Sequence, residues 1–310
     1  MQLLRRLLFS IFLCTPFSSC APPDQLPPWF DSLQRIPLES VKIQGHRVAY
    51  LDVGEGPPVV LIHGFGGSMW QWEYQQAALS AKVRVITPDL LGAGLSDKPD
   101  IEYRPDELLD FLVGFLDALH IPRATLIGNS MGAGLAIGMA LDHPERVTSL
   151  VLISGLPPHV LDQLANDKIR RALTTTTPVW LVTMGNQLFG RFLIDGMLKE
   201  IVHDPALLTP AVLDRSNRNR QRPGLFGPLL ATGKQLPIWE TRYAPRIGTL
   251  TSRTLIIWGE EDRVFPIAVG RHLHALIPGS TFVAVPQANH LPQWEQPRLV
   301  NELLLRFLQS

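Results

Sequence analysis

A regular alternation of strand-like and helix-like segments, broken once, constrains this chain more than any other feature. Short apolar runs occupy residues 41–44, 46–53, 58–62, 83–87, 124–127 and 150–153, and helical spacing occupies 106–120 and 131–141. In the first helix Leu108, Leu109, Leu112, Phe115, Leu116 and Leu119 fall on one side, and Pro122 follows its end. Gly45 closes a hairpin between the first two runs. From residue 156 to 246 there is no strand pattern, only helix-like apolar spacing punctuated by prolines. The rhythm then resumes with strands at 254–258 and 281–285 and helices at 267–276 and 297–308. Alternating strands and helices predict an α/β fold, a mostly parallel central sheet with helices on both faces. The interruption predicts a helical cap (156–246) inserted into a core made of 41–155 and 247–310. In such sheets ligands bind beyond the carboxyl ends of the strands, so the chemistry is expected on the loops that follow them.

Composition agrees with a packed domain. Of 310 residues, 45% are apolar and 18% charged, enough to bury a sizeable core. The formal net charge is zero, so nothing points to a nucleic-acid partner. The amino terminus reads differently. Arg5 and Arg6 precede an apolar run at residues 7–17, too short for an ordinary spanning helix and flanked like a secretory signal. Phe17-Ser18-Ser19-Cys20 resembles a bacterial lipoprotein signal in which Cys20 is lipidated, although Phe17 stands where that signal prefers leucine. Residues 1–20 are therefore expected to be a leader and the proline-rich stretch 21–40 a tether. Export to the cell envelope follows, with membrane attachment if Cys20 carries lipid and a periplasmic or secreted protein if not. The two cysteines, Cys14 and Cys20, both lie in the leader, which leaves the domain without disulfides, thiol catalysis or thiolate metal sites.

Four segments carry candidate chemistry. Gly128-Asn129-Ser130-Met131-Gly132 lies between a predicted strand and a predicted helix. A tight strand-to-helix turn presents a serine oxygen in a strained conformation, and the crowding around it demands flanking glycines. Ser130 is the candidate nucleophile. His63-Gly64-Phe65-Gly66-Gly67 follows the strand at 58–62; the amides of Phe65 and Met131 are the candidate oxyanion hole. His63 reads as a loop-fixing residue, because the general base is expected late in the chain. After the strand at 254–258 come Glu260, Glu261 and Asp262. Asp262, deepest in the loop and before Val264 and Phe265, is the candidate carboxylate, with the two glutamates as solvated rim charges. His290, on the loop before the last helix, is the candidate base. His120 and His143, at helix ends, read as surface or structural. Phe65, Trp70, Trp72, Trp180, Phe189, Phe192 and Met197 are candidate walls of an apolar pocket.

Together these motifs resemble the α/β-hydrolase superfamily, in its capped serine branch. Asp89-Leu90-Leu91-Gly92-Ala93-Gly94-Leu95-Ser96-Asp97 and His290-Leu291-Pro292-Gln293-Trp294-Glu295-Gln296-Pro297 also match loops typical of that branch, and the likeness runs from about residue 41 to 308. The resemblance implies an acyl-enzyme mechanism without metal or organic cofactor. Serine at 130 argues against the epoxide hydrolases and haloalkane dehalogenases of this fold, which use aspartate. Carbon–carbon bond hydrolases of aromatic ring-fission products share Gly-Asn-Ser-Met-Gly, but their oxyanion loop usually carries Gly-Pro-Gly where this chain has Gly64-Phe65-Gly66-Gly67. The expected substrate is thus a small, apolar carboxylic ester. The alternatives are a carbon–carbon bond, or an amino-terminal peptide bond with Asp195, Glu200 or Asp204 of the cap holding the amine. A non-catalytic ligand-binding homologue would be expected to have lost a triad member, and none is missing. Nothing in the sequence sets the oligomeric state.

Overall fold

The computed structural model describes residues 36–309; the leader, Cys20 and most of the expected tether lie outside them. Eight strands form one sheet: β1 (Leu38–Ile43), β2 (His46–Val53), β3 (Pro58–Ile62), β4 (Arg84–Pro88), β5 (Ala124–Asn129), β6 (Val147–Ile153), β7 (Thr254–Gly259) and β8 (Thr281–Val285). Their spatial order is β1-β2-β4-β3-β5-β6-β7-β8. β1 pairs antiparallel with β2, and β2 with β4; every later pairing is parallel. β5 and β7 are buried at every position, as central strands covered on both faces must be. The first strand begins at Leu38, inside the stretch expected to be tether. Its partner pairing with β2 explains why: Leu38 lies opposite Leu51.

Within the core, α1 (Glu73–Leu79), α2 (Pro105–Ala118) and α3 (Met131–Asp142) precede the interruption. α2 buries the stripe Leu108, Leu109, Phe111, Leu112, Phe115 and Leu116, as its spacing predicts, and Glu107 accepts the backbone N–H of Arg104 at its start. α3 is rich in Ala and Gly and is buried along most of its length against the sheet. α1 escapes a periodicity argument because two of its buried residues are Gln75 and Gln76.

No strand falls between β6 and β7. That stretch carries α4 (Val160–Gln163), α5 (Asp167–Thr174), α6 (Val179–Ile201), α7 (Pro210–Arg220), α8 (Phe226–Gly233) and α9 (Leu236–Ile238), with short 3₁₀ and π turns between and after them. The core then closes with α10 (Ile267–Leu276), α11 (Pro292–Glu295) and α12 (Pro297–Gln309). Two hydrophobic layers sandwich the sheet, one holding α2, α3 and α10 and the other α12. A third cluster joins the insert to the core through Ile194, Leu198, Val202, Trp70 and Trp294. A buried ion pair reinforces this junction: Arg215 of α7 donates two hydrogen bonds to Glu73, at 2.8 and 2.7 Å, and lies 5.4 Å from the ring of Trp70. The indole N–H of Trp294 donates to the same carboxylate.

Candidate active site

The loops after β3, β5, β7 and β8 converge on one cavity of about 250 Å³ under the helical insert. Ser130 stands at the turn from β5 to α3 with φ 52° and ψ −116°. This is a conformation L-residues rarely adopt, costing on the order of 1–3 kcal/mol. The turn is held from both sides. The Ser130 N–H donates to Ile153 O, and the Ser130 carbonyl accepts the amides of Ala133 and Gly134. The flanking glycines are required by close approach: a Cβ on Gly128 would lie 2.3 Å from the backbone of Gly132, and one on Gly132 would lie 2.2 Å from Ile62 O.

His290 Nδ1 lies 3.0 Å from Asp262 Oδ2 and 3.3 Å from Oδ1. With Nδ1 held there, Nε2 is the nitrogen left to exchange a proton with a neighbour in the cavity, which both Ser130 and His290 line. Asp262 is fixed in turn, since its Oδ1 accepts the amides of Val264 (2.8 Å) and Phe265 (2.9 Å). The competing acids point elsewhere. Glu260 is exposed, and Glu261 accepts the amide of Ala288 instead of sitting as a free rim charge.

Phe65 and Met131 both face the cavity. Met131 is the first residue of α3, so its N–H has no partner within the helix and carries the partial positive charge of a helix start. The loop after β3, which carries Phe65, is pinned by Gln71, which accepts the Gly64 amide at 2.9 Å, and by His63. His63 Nδ1–H donates to Gly64 O while Nε2 accepts the Leu90 amide. Both ring nitrogens are therefore occupied, and burial lowers the His63 pKa from its usual 6.5, which keeps the imidazole neutral. His120 is exposed and His143 half-buried, both outside the cavity.

The expected pocket aromatics divide. Phe65, Trp70 and Met197 line the cavity. Trp72 does not; it is wholly buried in the layer beneath the sheet, because the 3₁₀ turn Met69–Trp72 sends neighbouring side chains in opposite directions. Trp180, Phe189 and Phe192 do not line it either: they sit on the outer face of α6 and are exposed, while Val182, Ile194 and Leu198 of the same helix face inward. The cap acids considered for amine binding are spent on local contacts. Asp195 bonds Lys199, Glu200 bonds Asn166 and Lys168, and Asp204 caps the amide of Ala206; none lines the cavity.

Several site residues receive no role from the sequence. Asn129 donates to Ile153 O and to His290 O, tying the serine turn to the histidine loop. Asn289 accepts the Arg263 amide and donates to Glu200 O. Glu295 accepts the amides of Asn289 and His203, and burial raises its pKa. Arg220, at the end of α7, is the one fixed cation on the cavity wall among the described residues. Its guanidinium stacks 5.3 Å from the Phe226 ring, and its buried Nε has no hydrogen-bond partner among the described residues. Burial lowers its pKa, with no carboxylate opposing the shift.

This sheet order and this convergence of loops define a hydrolase of the α/β type. The family model described as alpha/beta hydrolase fold matches residues 57–297, and the chain belongs to that family. It is 33% identical over 285 residues to a 2-hydroxy-6-oxononadienedioate/2-hydroxy-6-oxononatrienedioate hydrolase of Paraburkholderia phymatum, covering 84% of this chain and 91% of that protein. It is 29% identical to a 2-hydroxy-6-oxo-6-phenylhexa-2,4-dienoate hydrolase of Burkholderia cepacia, over 86% of this chain and 92% of the other. Among solved structures, a meta-cleavage product hydrolase from Pseudomonas fluorescens superposes with a TM-score of 0.75 at 29% identity, covering 87% of this chain and 97% of that one. An N-acyl homoserine lactone degrading enzyme superposes at 0.70 with 27% identity, over 87% and 100%.

Proposed function

We propose that the chain is a serine hydrolase that cleaves a carbon–carbon bond beside a ketone in a small, largely apolar substrate bearing a carboxylate. Ser130 is the nucleophile, His290 the base and Asp262 the group that orients it. Arg220 carries the substrate part of this reading. A desolvated guanidinium without an acid partner, set in an apolar cavity, is an incomplete ion pair that an anionic ligand would complete. The dienoates named for the Burkholderia and Paraburkholderia proteins are such anions.

The same machinery serves each step. His290 Nε2 takes the Ser130 proton as Oγ attacks the ketone carbon, and the amides of Phe65 and Met131 hold the developing oxyanion. Collapse breaks the carbon–carbon bond. The departing carbon is acceptable as a leaving group only where it is conjugated to a second carbonyl, as in the keto form of a 2-hydroxy-6-oxo acid. The imidazolium returns its proton to that fragment, and water then cleaves the acyl-serine with His290 again as base.

A second reading, ester hydrolysis, is favoured by one observation: this chain has Gly64-Phe65-Gly66-Gly67 where the carbon–carbon hydrolases it resembles usually carry a Gly-Pro-Gly stretch. One assay separates the two. Ring-fission dienoates and p-nitrophenyl esters, with and without a distal carboxylate, are compared on wild type and Arg220→Met. Preference for dienoates, with KM raised roughly 10- to 100-fold in the variant, supports the carbon–carbon reading. Turnover confined to uncharged esters and indifferent to Arg220 would leave only ester hydrolysis.

A further inference from the structure

The outer face of α6 is unlike the rest of the surface. Of the large hydrophobic side chains exposed among the described residues, all but Tyr74 lie between Val179 and Leu193. Trp180 is 66% exposed and Phe192 78%, and Met184, Leu188, Phe189 and Leu193 join them. A contiguous patch of this kind marks an interaction surface. The helix has 23 residues, yet no helix of the described residues is long and apolar enough to cross a membrane. Its inner face is occupied, since Ile194 and Leu198 are buried against the core cluster.

We propose that this face docks on a lipid bilayer, the one in which the leader of the same chain would be anchored. Two observations choose lipid over a second protein. First, the only charged residue in 179–194 is Arg191, which is exposed and cationic; no acid there repels an anionic membrane. Exposed Trp and Phe side chains on a helix surface are the composition that settles at the headgroup boundary. Second, the first described residue joins the cluster that holds the inner face of this helix. Ile36 packs against the cluster that contains Ile194 and Leu198. From Cys20 to Ile36 the chain extends to roughly 58 Å at most, so a lipidated Cys20 would keep the domain within that reach of the bilayer. The geometry gives docking a purpose. Val182, Ile194, Met197 and Ile201 of α6 line the cavity, so one helix separates the lipid-facing surface from the reaction site, and an amphiphilic carboxylate held at the bilayer surface would be presented to the cap.

The test uses the full chain with Cys14→Ser and Cys20→Ser and one new cysteine, at Leu188, Phe192 or, on the core, Glu145, each carrying an environment-sensitive NBD label. Vesicles of phosphatidylethanolamine and phosphatidylglycerol are added, with and without doxyl-labelled lipid. The proposal expects blue-shifted, doxyl-quenched emission at Leu188→Cys and Phe192→Cys and none at Glu145→Cys. Vesicle binding that leaves the two helix probes in water would overturn it, as would no binding at all. Probes already shielded without lipid would also overturn it: a sedimenting dimer would assign the face to a second copy, a monomer to residues 1–35.

Discussion

The strand-end loops and the helical insert face each other across one cavity but are built on opposite terms. In the loops, nearly every polar group near the site is tied to backbone: Asp262 accepts two amides, Glu295 braces the histidine loop, and Asn129 joins that loop to the serine turn. The insert is held by side chains: packing along one stripe of α6, Trp239 and Tyr243 in the main core, the Glu73–Arg215 pair and the bonds of Arg242 to Asp106 and Asp142, while α5 buries nothing fully. Rigid loops suit a reaction that needs donors and nucleophile placed in advance. A cap attached through side chains is free to vary what reaches them.

The comparison breaks most severely if the loops prove dispensable. Ser130→Ala is expected to lower kcat by about a million-fold, and failure to do so in folded protein would remove the nucleophile from the account. Asp262→Asn keeps the shape but favours the wrong imidazole tautomer, so kcat is expected to fall about 10⁴-fold while KM holds. The insert's junction is tested by Arg215→Met. It leaves Glu73 buried without that cation and is expected to cost about 3–5 kcal/mol in denaturant unfolding, against well under 1 kcal/mol for Arg218→Met on the exposed face of α7. The smallest effect concerns His63. Its pKa is lowered on folding from 6.5 by burial, so the unfolded chain binds the proton first. That stability is complete above pH 6.5 and is lost as pH falls toward the folded value. Thermal melts should show this slope, and His63→Gln should flatten it.

The same contrast explains what could be read from the chain alone. The core strands and the order Ser130, Asp262, His290 were legible because backbone geometry constrains their residue types: only glycine clears Ile62 O at 132, and central strands buried on both faces are mostly apolar. The cap resists such reading. α6 is apolar on both faces, so its spacing does not say that Trp180, Phe189 and Phe192 face outward. α7 is polar nearly all round, so nothing in its pattern singles out Arg220 as the residue that reaches the cavity. Trp70 and Trp72 look equivalent until a 3₁₀ turn separates them. Asp262 is intermediate: three acids compete in the sequence, and the amides of Val264 and Phe265 decide which one meets His290.

The central claim is that a single strained serine under the cap does the chemistry. Incubating the full chain with a fluorophosphonate and mapping the adduct by mass spectrometry tests it most directly. One stoichiometric adduct on Ser130 is expected, formed far more slowly in His290→Ala. Folded protein that stays unlabelled, or an adduct on another serine, would contradict it.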